Sequence, residues 1–473
     1  MEKAPKGTIL IMAILIIGTM AGLLNQSSLN TALPNIMGEF RISASTVQWL
    51  TTAFALVTGI VVPITAFLIQ RFTTKQVFVF AMGMLSAGTL LCAVSPGFGL
   101  LLTGRVVQAV GVGIMLPLVQ TLTFILIPVA RRGFTMGMIG LAVNFAPAIG
   151  PVLNGWLVEN HSWRLLFYIL APCSLLLTLL GVLLVKNVTP QVKSKADALS
   201  MTLSSLGFGG VLYGFSVSGS KGWGSTEVLI SLAVGFIALG LFVWRQLTME
   251  NPLLELRVFT SSAFTMATVI SMILMIIMLS AQLLLPLYMQ TMLGYSALKS
   301  GLMLLPGAIL ICIMSPIAGK LFDKIGARTM VITGLSLTVI SALLFSNLTE
   351  HTSYTFLMVG YSLRMVGVSL TLLPVITSGM NSLPPALIRH GIPVNTTLRT
   401  VAGSIGTALL VTIMTYSGGG LKQTGNVHSL IHGMNVASMV TTGAAVVALI
   451  LSFFIRRKEE IPAEIPAKGV AVK

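Results

Sequence analysis

Long apolar runs separated by short polar turns recur along the whole chain. A helix that crosses a bilayer needs about 20 largely apolar residues. On that template fourteen runs qualify: residues 9–31, 46–69, 76–95, 98–125, 134–157, 163–185, 198–217, 227–246, 262–286, 299–319, 328–347, 355–380, 396–416 and 434–455. The first run follows Lys3 and Lys6 as the apolar part of a signal peptide would. No small-residue cleavage site closes it and thirteen more runs follow, so it reads as a retained helix. The pattern predicts an all-α integral membrane protein.

Composition agrees with the pattern. Of 473 residues, 55% are hydrophobic and 8% charged, and the mean hydropathy is +0.95, beyond what a soluble domain carries on its surface. Cys92, Cys173 and Cys312 each fall inside an apolar run, which leaves no disulfide framework and no zinc spacing. The net charge of +16 has no soluble domain to form a basic stripe, so nucleic acid is not an expected partner. With the amino terminus inside, 20 of the 28 Lys and Arg fall on the cytoplasmic side, 5 outside and 3 within spans. The positive-inside rule then expects both termini in the cytoplasm, as an even number of spans requires.

One short repeat is visible. AFLIQRFTTK, Ala66 to Lys75, follows the second run, and GKLFDKIGAR, Gly319 to Arg328, follows the tenth, 253 residues later. Leu68 matches Leu321, Arg71 matches Lys324 and Lys75 matches Arg328. A generic basic loop would share scattered cations, but the equivalent position in the run order favours duplication. The expected organisation is a six-helix half over 1–190, two inserted helices over 191–257, a second six-helix half over 258–456 and a tail over 457–473.

Three cations lie inside runs. In GRVVQAVGVGIMLP, Arg105 and Gln108 share a helix face, and Gly111 and Gly113 permit close approach of a neighbour. Arg105 either lines a cavity or snorkels to the interface. Arg364 precedes Gly367 and Pro374 much as Arg105 precedes Gly111 and Pro117, and reads as its duplicated counterpart. Arg399 lies about a turn from the cytoplasmic start of its run, within snorkelling reach. In AVNFAPAIGPVLNGWL, Pro147, Gly150-Pro151 and Gly155 would bend a helix and thin its surface, or form an ordinary small-residue packing seam.

Taken together these motifs resemble the major facilitator superfamily. GKLFDKIGAR resembles its loop signature G-x-L-x-D-R/K-x-G-x-R/K, Arg105 to Gln108 its R-x-x-Q-G, and Gly150 to Gly155 the G-P-x-x-G-G pattern of its exporters. Trp163-Arg164, Phe167 and Pro172, with ENPLLELRVF, LPLYMQTMLGYSALKSGLMLLP and VNTTLRTVAGSIGTALL, resemble the fourteen-span drug:proton antiporter branch. The resemblance implies a major facilitator fold of two six-helix halves plus two inserted helices. It further implies a cavity between the halves that opens to either side in turn, with proton entry driving an amphiphilic small molecule out.

On that reading the gating loops carry Arg71, Lys75, Gly319, Asp323, Lys324, Gly326 and Arg328, and Asp323 caps neighbouring helix ends and pairs with basic residues. Cavity candidates are Asn25, Gln26, Asn30, Gln48, Gln108, Asn144, Asn154, Gln282 and Gln290. The sequence departs from the family pattern at Ala66, Gln70 and Thr73 of the first loop, at Ala109, at Asn154, and at Asn25, where an Asp is usual.

That last departure bears on mechanism. None of the twelve acidic residues falls in the middle of a run, and an amide cannot carry a proton. Coupling would then use an edge group such as Glu159, Asp323 or His161, or a proton carried by the substrate. The alternative is an exporter of an anionic or lipid-like amphiphile with no buried-carboxylate proton site. A membrane enzyme or receptor fits less well: no Ser/His/Asp, Cys/His or metal constellation is present, and no Gly-rich phosphate loop supplies an ATP site. His428 and His432 lack the third ligand a metal needs. The expected partners are an amphiphilic small molecule, protons and the lipid bilayer, with no cofactor, in a bacterial cell membrane.

Overall fold

The computed structural model describes residues 8–160, 162–188, 191, 197–250, 252–418 and 427–455; the expected tail over 457–473 lies outside them. Fourteen helices are long and apolar enough to span a membrane. In chain order the helices are α1 (Thr8–Ser28), the short α2 (Leu33–Phe40), α3 (Ala44–Arg71), α4 (Thr74–Ala93), α5 (Phe98–Leu126), α6 (Val129–Asn160), α7 (Arg164–Leu184), α8 (Ala198–Lys221) and α9 (Thr226–Thr248). They continue with α10 (Ser262–Leu287), α11 (Ala297–Ile325), α12 (Ala327–Leu344), α13 (Tyr354–Asn381), α14 (Pro385–Ser417) and α15 (Val427–Ser452). All but α2 are spans. The side of the bundle on which α1 begins is called the near face below.

Polar side chains set many of the boundaries. Ser43, Thr73, Ser225, Ser261, Ser296 and Ser353 each precede a span and accept an N–H of its first turn, and Thr73 with Gln76 forms a reciprocal capping box. Gly326, at φ 80°, ends α11 and turns the chain into α12. The first apolar run breaks earlier than its hydropathy suggests. After Ser28 the chain tightens into a 3₁₀ turn over Leu29–Ala32, then continues as the short α2 at the far face. There Glu39 accepts the Trp163 indole N–H at 2.7 Å and the Arg164 guanidinium at 2.6 Å. Burial works against the charge of Glu39, but those two donors hold its carboxyl below the usual range.

Two sets of six helices pack in the same pairwise order. Helix α5 lies against α4 and α3 as α13 lies against α12 and α11; α1 meets α6 as α10 meets α14; α4 meets α7 as α12 meets α15. Glycines fix the register. A Cβ on Gly111 would meet the Ala81 carbonyl and Leu85, and one on Gly367 would meet the Gly334 carbonyl and Thr338. Similarly, Gly104 sits against Cys92, and Gly360 against Phe345. In this register Arg364 occupies the place of Gln108, and Tyr361 that of Arg105. The expected equivalence of Arg364 with Arg105 is therefore off by nearly one turn. The distance to the next glycine, from which it was read, is six residues in α5 and three in α13.

The sets meet along two lines. Helix α6 runs closely against α11, whereas α3 and α14 touch less and share α8 as a common neighbour. The α8 and α9 pair thus covers the looser line. Trp49 stacks on Tyr213 at 5.9 Å between α3 and α8, and the Trp223 indole, in the α8–α9 turn, donates to Thr412 of α14 at 2.8 Å. At the near face Arg245 grips Asp197, pulling that carboxyl down to about 2. On α9, Leu229, Ile230, Phe236, Ile237, Leu241 and Trp244 are exposed, the composition of a lipid-facing side.

Candidate transport site

The α6–α11 line is closed on the near face by backbone contact. A Cβ on Gly319 would overlap the Gly133 carbonyl, one on Gly137 would fall 2.9 Å from the Cα of Pro316, and Gly140 sits against Ser315 and Leu373. Such an approach requires residues without side chains on both helices. It carries Asp323, near the end of α11, to the fifth and sixth residues of α6, where its two oxygens accept the N–H groups of Gly133 and Phe134 at 2.9 Å each. Backbone N–H groups near a helix start stabilise an anion by charge-assisted hydrogen bonds. Where a helix-end cap and pairing with basic residues were expected, Asp323 binds two backbone N–H groups one turn into α6, and among the described residues it makes no ion pair with a basic side chain. Arg132 instead reaches across to Asn381 at 2.8 Å and to the carbonyls of Phe124 and Ile127.

The α3–α14 line has a neutral version of the same contact. Gln70, which holds the repeat position of Asp323, meets the His390 Nε2 at 3.1 Å. The other ring nitrogen of His390 accepts the Glu255 N–H at 3.2 Å, so one imidazole joins the first set, the second set and the chain entering α10. Of the remaining gating-loop residues, Arg71, Lys75 and Lys324 are exposed at the near face and Arg328 is half-buried.

Arg105 neither snorkels nor faces open space. It is fully buried, donates to the carbonyls of Asn25 at 3.0 Å and Leu50 at 3.4 Å and to the Gln108 Oε1 at 3.0 Å, and lies 4.2 Å from the Phe54 ring centre. Gln108 donates to Asn25 and Thr89, and Asn25 donates to Thr89 at 2.9 Å. The Gly88–Gly104 crossing makes this knot possible: a Cβ on Gly88 would lie 2.6 Å from the Gly104 carbonyl and the Gln108 nitrogen. Asn25 and Gln108, expected toward the cavity, thus turn into the first set, where each polar atom finds a partner.

The second set is less well matched. Among the described residues Arg364 has one hydrogen bond, to Ser341 at 3.3 Å, and the Phe345 ring at 4.7 Å; its Nη2 is buried without a partner there. Arg399 is 8% exposed, and its buried Nε has no partner either. It also lies deeper than its sequence suggests. Helix α14 begins at Pro385, not near 396, so Arg399 is fourteen residues inside the helix.

Other cavity candidates scatter. Asn144 donates to the Gly140 carbonyl at 2.8 Å and approaches Ser315 across the α6–α11 line at 3.4 Å. Gln26 is half-buried, whereas Gln48, Gln282 and Gln290 are exposed, Gln282 within hydrogen-bonding reach of Tyr361. On α6, Pro147 is exposed and Gly150 buried. The side chains of Asn30, Pro151, Asn154 and Glu159 and all of His161 lie outside the described residues, while Gly155 continues α6. Sequence reasoning missed Gly133, Gly137 and Gly140, although their spacing of four and three is that of a close-packing helix stripe. It also missed His390, which no local pattern distinguishes.

Comparison with known proteins adds a family context. The Major Facilitator Superfamily profile matches residues 15–407. Over 467 residues, 99% of each chain, the sequence is 45% identical to a Bacillus subtilis protein described as the uncharacterized MFS-type transporter YcnB. It is 42% identical over 445 residues, 92% of this chain and 94% of the other, to the lincomycin resistance protein LmrB of Listeria monocytogenes. Among solved structures, that of the human organic anion transporter MFSD10 (TETRAN) matches 95% of this chain and 100% of its own at a TM-score of 0.69. At 13% identity, that likeness is one of fold.

Proposed function

The chain belongs to the major facilitator superfamily, and we propose that this cell-membrane transporter exports drug-like amphiphilic small molecules by alternating access coupled to protons. The near face, with both termini, is the cytoplasmic one on this reading, because most Lys and Arg lie there. The moving bodies are the six-helix sets, bounded near residues 190 and 258, with 191–257 as the inserted pair. The carrying observation is the near-face seam, made of glycine contacts and one carboxylate on two backbone N–H groups. A contact of that kind can part without leaving a buried ion pair broken. A resistance protein among the relatives supports the substrate class.

The spans hold no mid-membrane carboxylate among the described residues, so the coupled proton is assigned to the seam itself. Protonation of Asp323 removes the anion that the Gly133 and Phe134 N–H groups bind, and protonation of His390 sets a ring N–H against the Glu255 N–H. Either event favours the opened near face. Reconstituted protein should accumulate lincomycin in vesicles with an acid lumen and stop when an uncoupler collapses the gradient. Transport indifferent to gradient and uncoupler would remove proton coupling; no transport of any amphiphile tested would remove the export reading.

A further inference from the structure

We propose that Arg399 receives an anionic group of the transported molecule, so that the cargo class includes amphiphiles bearing a carboxylate, sulfonate or phosphate. The proposal deepens the export reading and rests on it for the word cargo, though not for binding.

The depth of Arg399 is the first observation. Fourteen residues into α14, at about 1.5 Å per residue, it stands about 21 Å from the near-face end, well inside a hydrocarbon layer about 30 Å thick. The guanidinium cannot discharge there by losing its proton. A cation so placed is normally retained only with partners or beside a cavity, yet Arg399 has no hydrogen bond or ion pair within the described protein, and its Nε is closed off from solvent. The nearest described carboxylates in chain order, Glu255, Asp323 and Glu350, stand at helix ends or in turns. Among the described residues no counter-charge meets it.

Duplication does not account for it. With Gly367 on Gly111 and His390 facing Gln70 where α6 faces Asp323, the matching height on α6 falls at Leu141 to Val143, none of them charged. The second set therefore carries a cation that the first lacks, in addition to the underpartnered Arg364.

The surroundings suit an amphiphile. One turn before Arg399, Asn395 donates to Thr268 and Ser271 of α10; one turn after, Gly403 lies against Met275 and Leu279 of the same helix. The Thr397 hydroxyl is also buried without a partner. A positive pole flanked by hydroxyls on one side and by methionine and leucine on the other matches an anionic head with an apolar body.

Three dansyl probes of one shape and different charge test this: dansylglycine (anionic), dansylamide (neutral) and dansylcadaverine (cationic). Binding is read by energy transfer from tryptophan in the purified protein and transport by uptake into proteoliposomes, for wild type, Arg399→Gln and Arg399→Lys. The expected result is that Arg399→Gln weakens dansylglycine binding at least about tenfold, a loss of about 1.4 kcal/mol, with dansylamide within about twofold and Arg399→Lys between. Equal losses for all three probes would make Arg399 a structural residue and overturn the proposal. So would wild-type protein that binds dansylamide and not dansylglycine, or an Arg399-dependent thermal stabilisation by chloride with no dansylglycine binding. Charge-selective binding without uptake would keep the anion site while removing the export reading.

Discussion

Two buried arginines in one molecule show what a cation needs in order to stay inside a membrane protein. Arg105 meets three oxygen acceptors and an aromatic face, and the side chains of two of those residues, Asn25 and Gln108, are themselves tied to each other and to Thr89. Arg399 meets none. Each hydrogen bond to a charged group contributes about 1.5–3 kcal/mol, and a cation at the helix centre costs about 2.5–3.5 kcal/mol on the insertion scale. The first site therefore balances within the protein and the second does not. A balanced charge reads as structure; an unbalanced one reads as a place that waits for something.

The difference can be broken from either side. The largest effect is expected at Arg105→Ala, which leaves the Asn25 and Leu50 carbonyls and the Gln108 amide without their donor. A loss of about 3–5 kcal/mol follows from stripping one member of a buried network, read as a large drop in thermal midpoint of the detergent-purified protein. Arg399→Met should do the opposite in the absence of ligand, raising that midpoint by the equivalent of about 1–4 kcal/mol, since an apolar side chain replaces an unpaired charge. If both variants destabilise alike, the two sites are not different in kind.

Smaller effects concern the seam. Gly319→Leu places a side chain where the Gly133 carbonyl stands, so the near face should no longer close, and transport should fall more than about tenfold with only a modest change in stability. Asp323→Asn turns one acceptor of a backbone N–H into a donor; a loss of about 1–2 kcal/mol in the closed state should appear as greater thiol labelling of a cysteine placed at Phe134.

The least effect belongs to Asp197 and Arg245. The carboxyl is pulled down to about 2 from an ordinary 3.8. Its contribution is therefore complete above the ordinary value, shrinks as the pH falls from about 4 toward 2, and vanishes below. For a partly exposed pair it should amount to less than about 1 kcal/mol, so Asp197→Asn should differ slightly from wild type at neutral pH and converge with it in acid.

The spans were legible because hydrocarbon leaves the backbone few choices; hydropathy alone places all fourteen. Asp323 was legible because GKLFDKIGAR resembles the superfamily's loop signature. The depth of Arg399 was not. Arg389, His390 and Pro393 make the preceding stretch look like a loop, yet Pro385 suits a first helical position and α14 carries Pro393 within it. Tertiary packing lets the helix begin three turns early. The equivalence of Arg364 was misread for a related reason: register is set by what a helix packs against, here the Gly334–Gly367 and Ala81–Gly111 crossings, and spacing within one helix does not contain it. Asn25 looked like a cavity residue because a polar break in an apolar run marks only that a partner is needed. Whether the partner is a substrate or, as with Thr89, Gln108 and Arg105, another helix depends on the fold.

Spin labels on Lys75→Cys and Arg328→Cys, one on each six-helix set at the near face, give the most direct measurement of the motion proposed for this transporter. Pulsed dipolar spectroscopy should find a short distance corresponding to the closed seam and a longer one that grows on acidification or addition of lincomycin, and grows further with Asp323→Asn. A single distance, unmoved by pH, by lincomycin and by the loss of the Asp323 carboxylate, would contradict a seam that opens and closes.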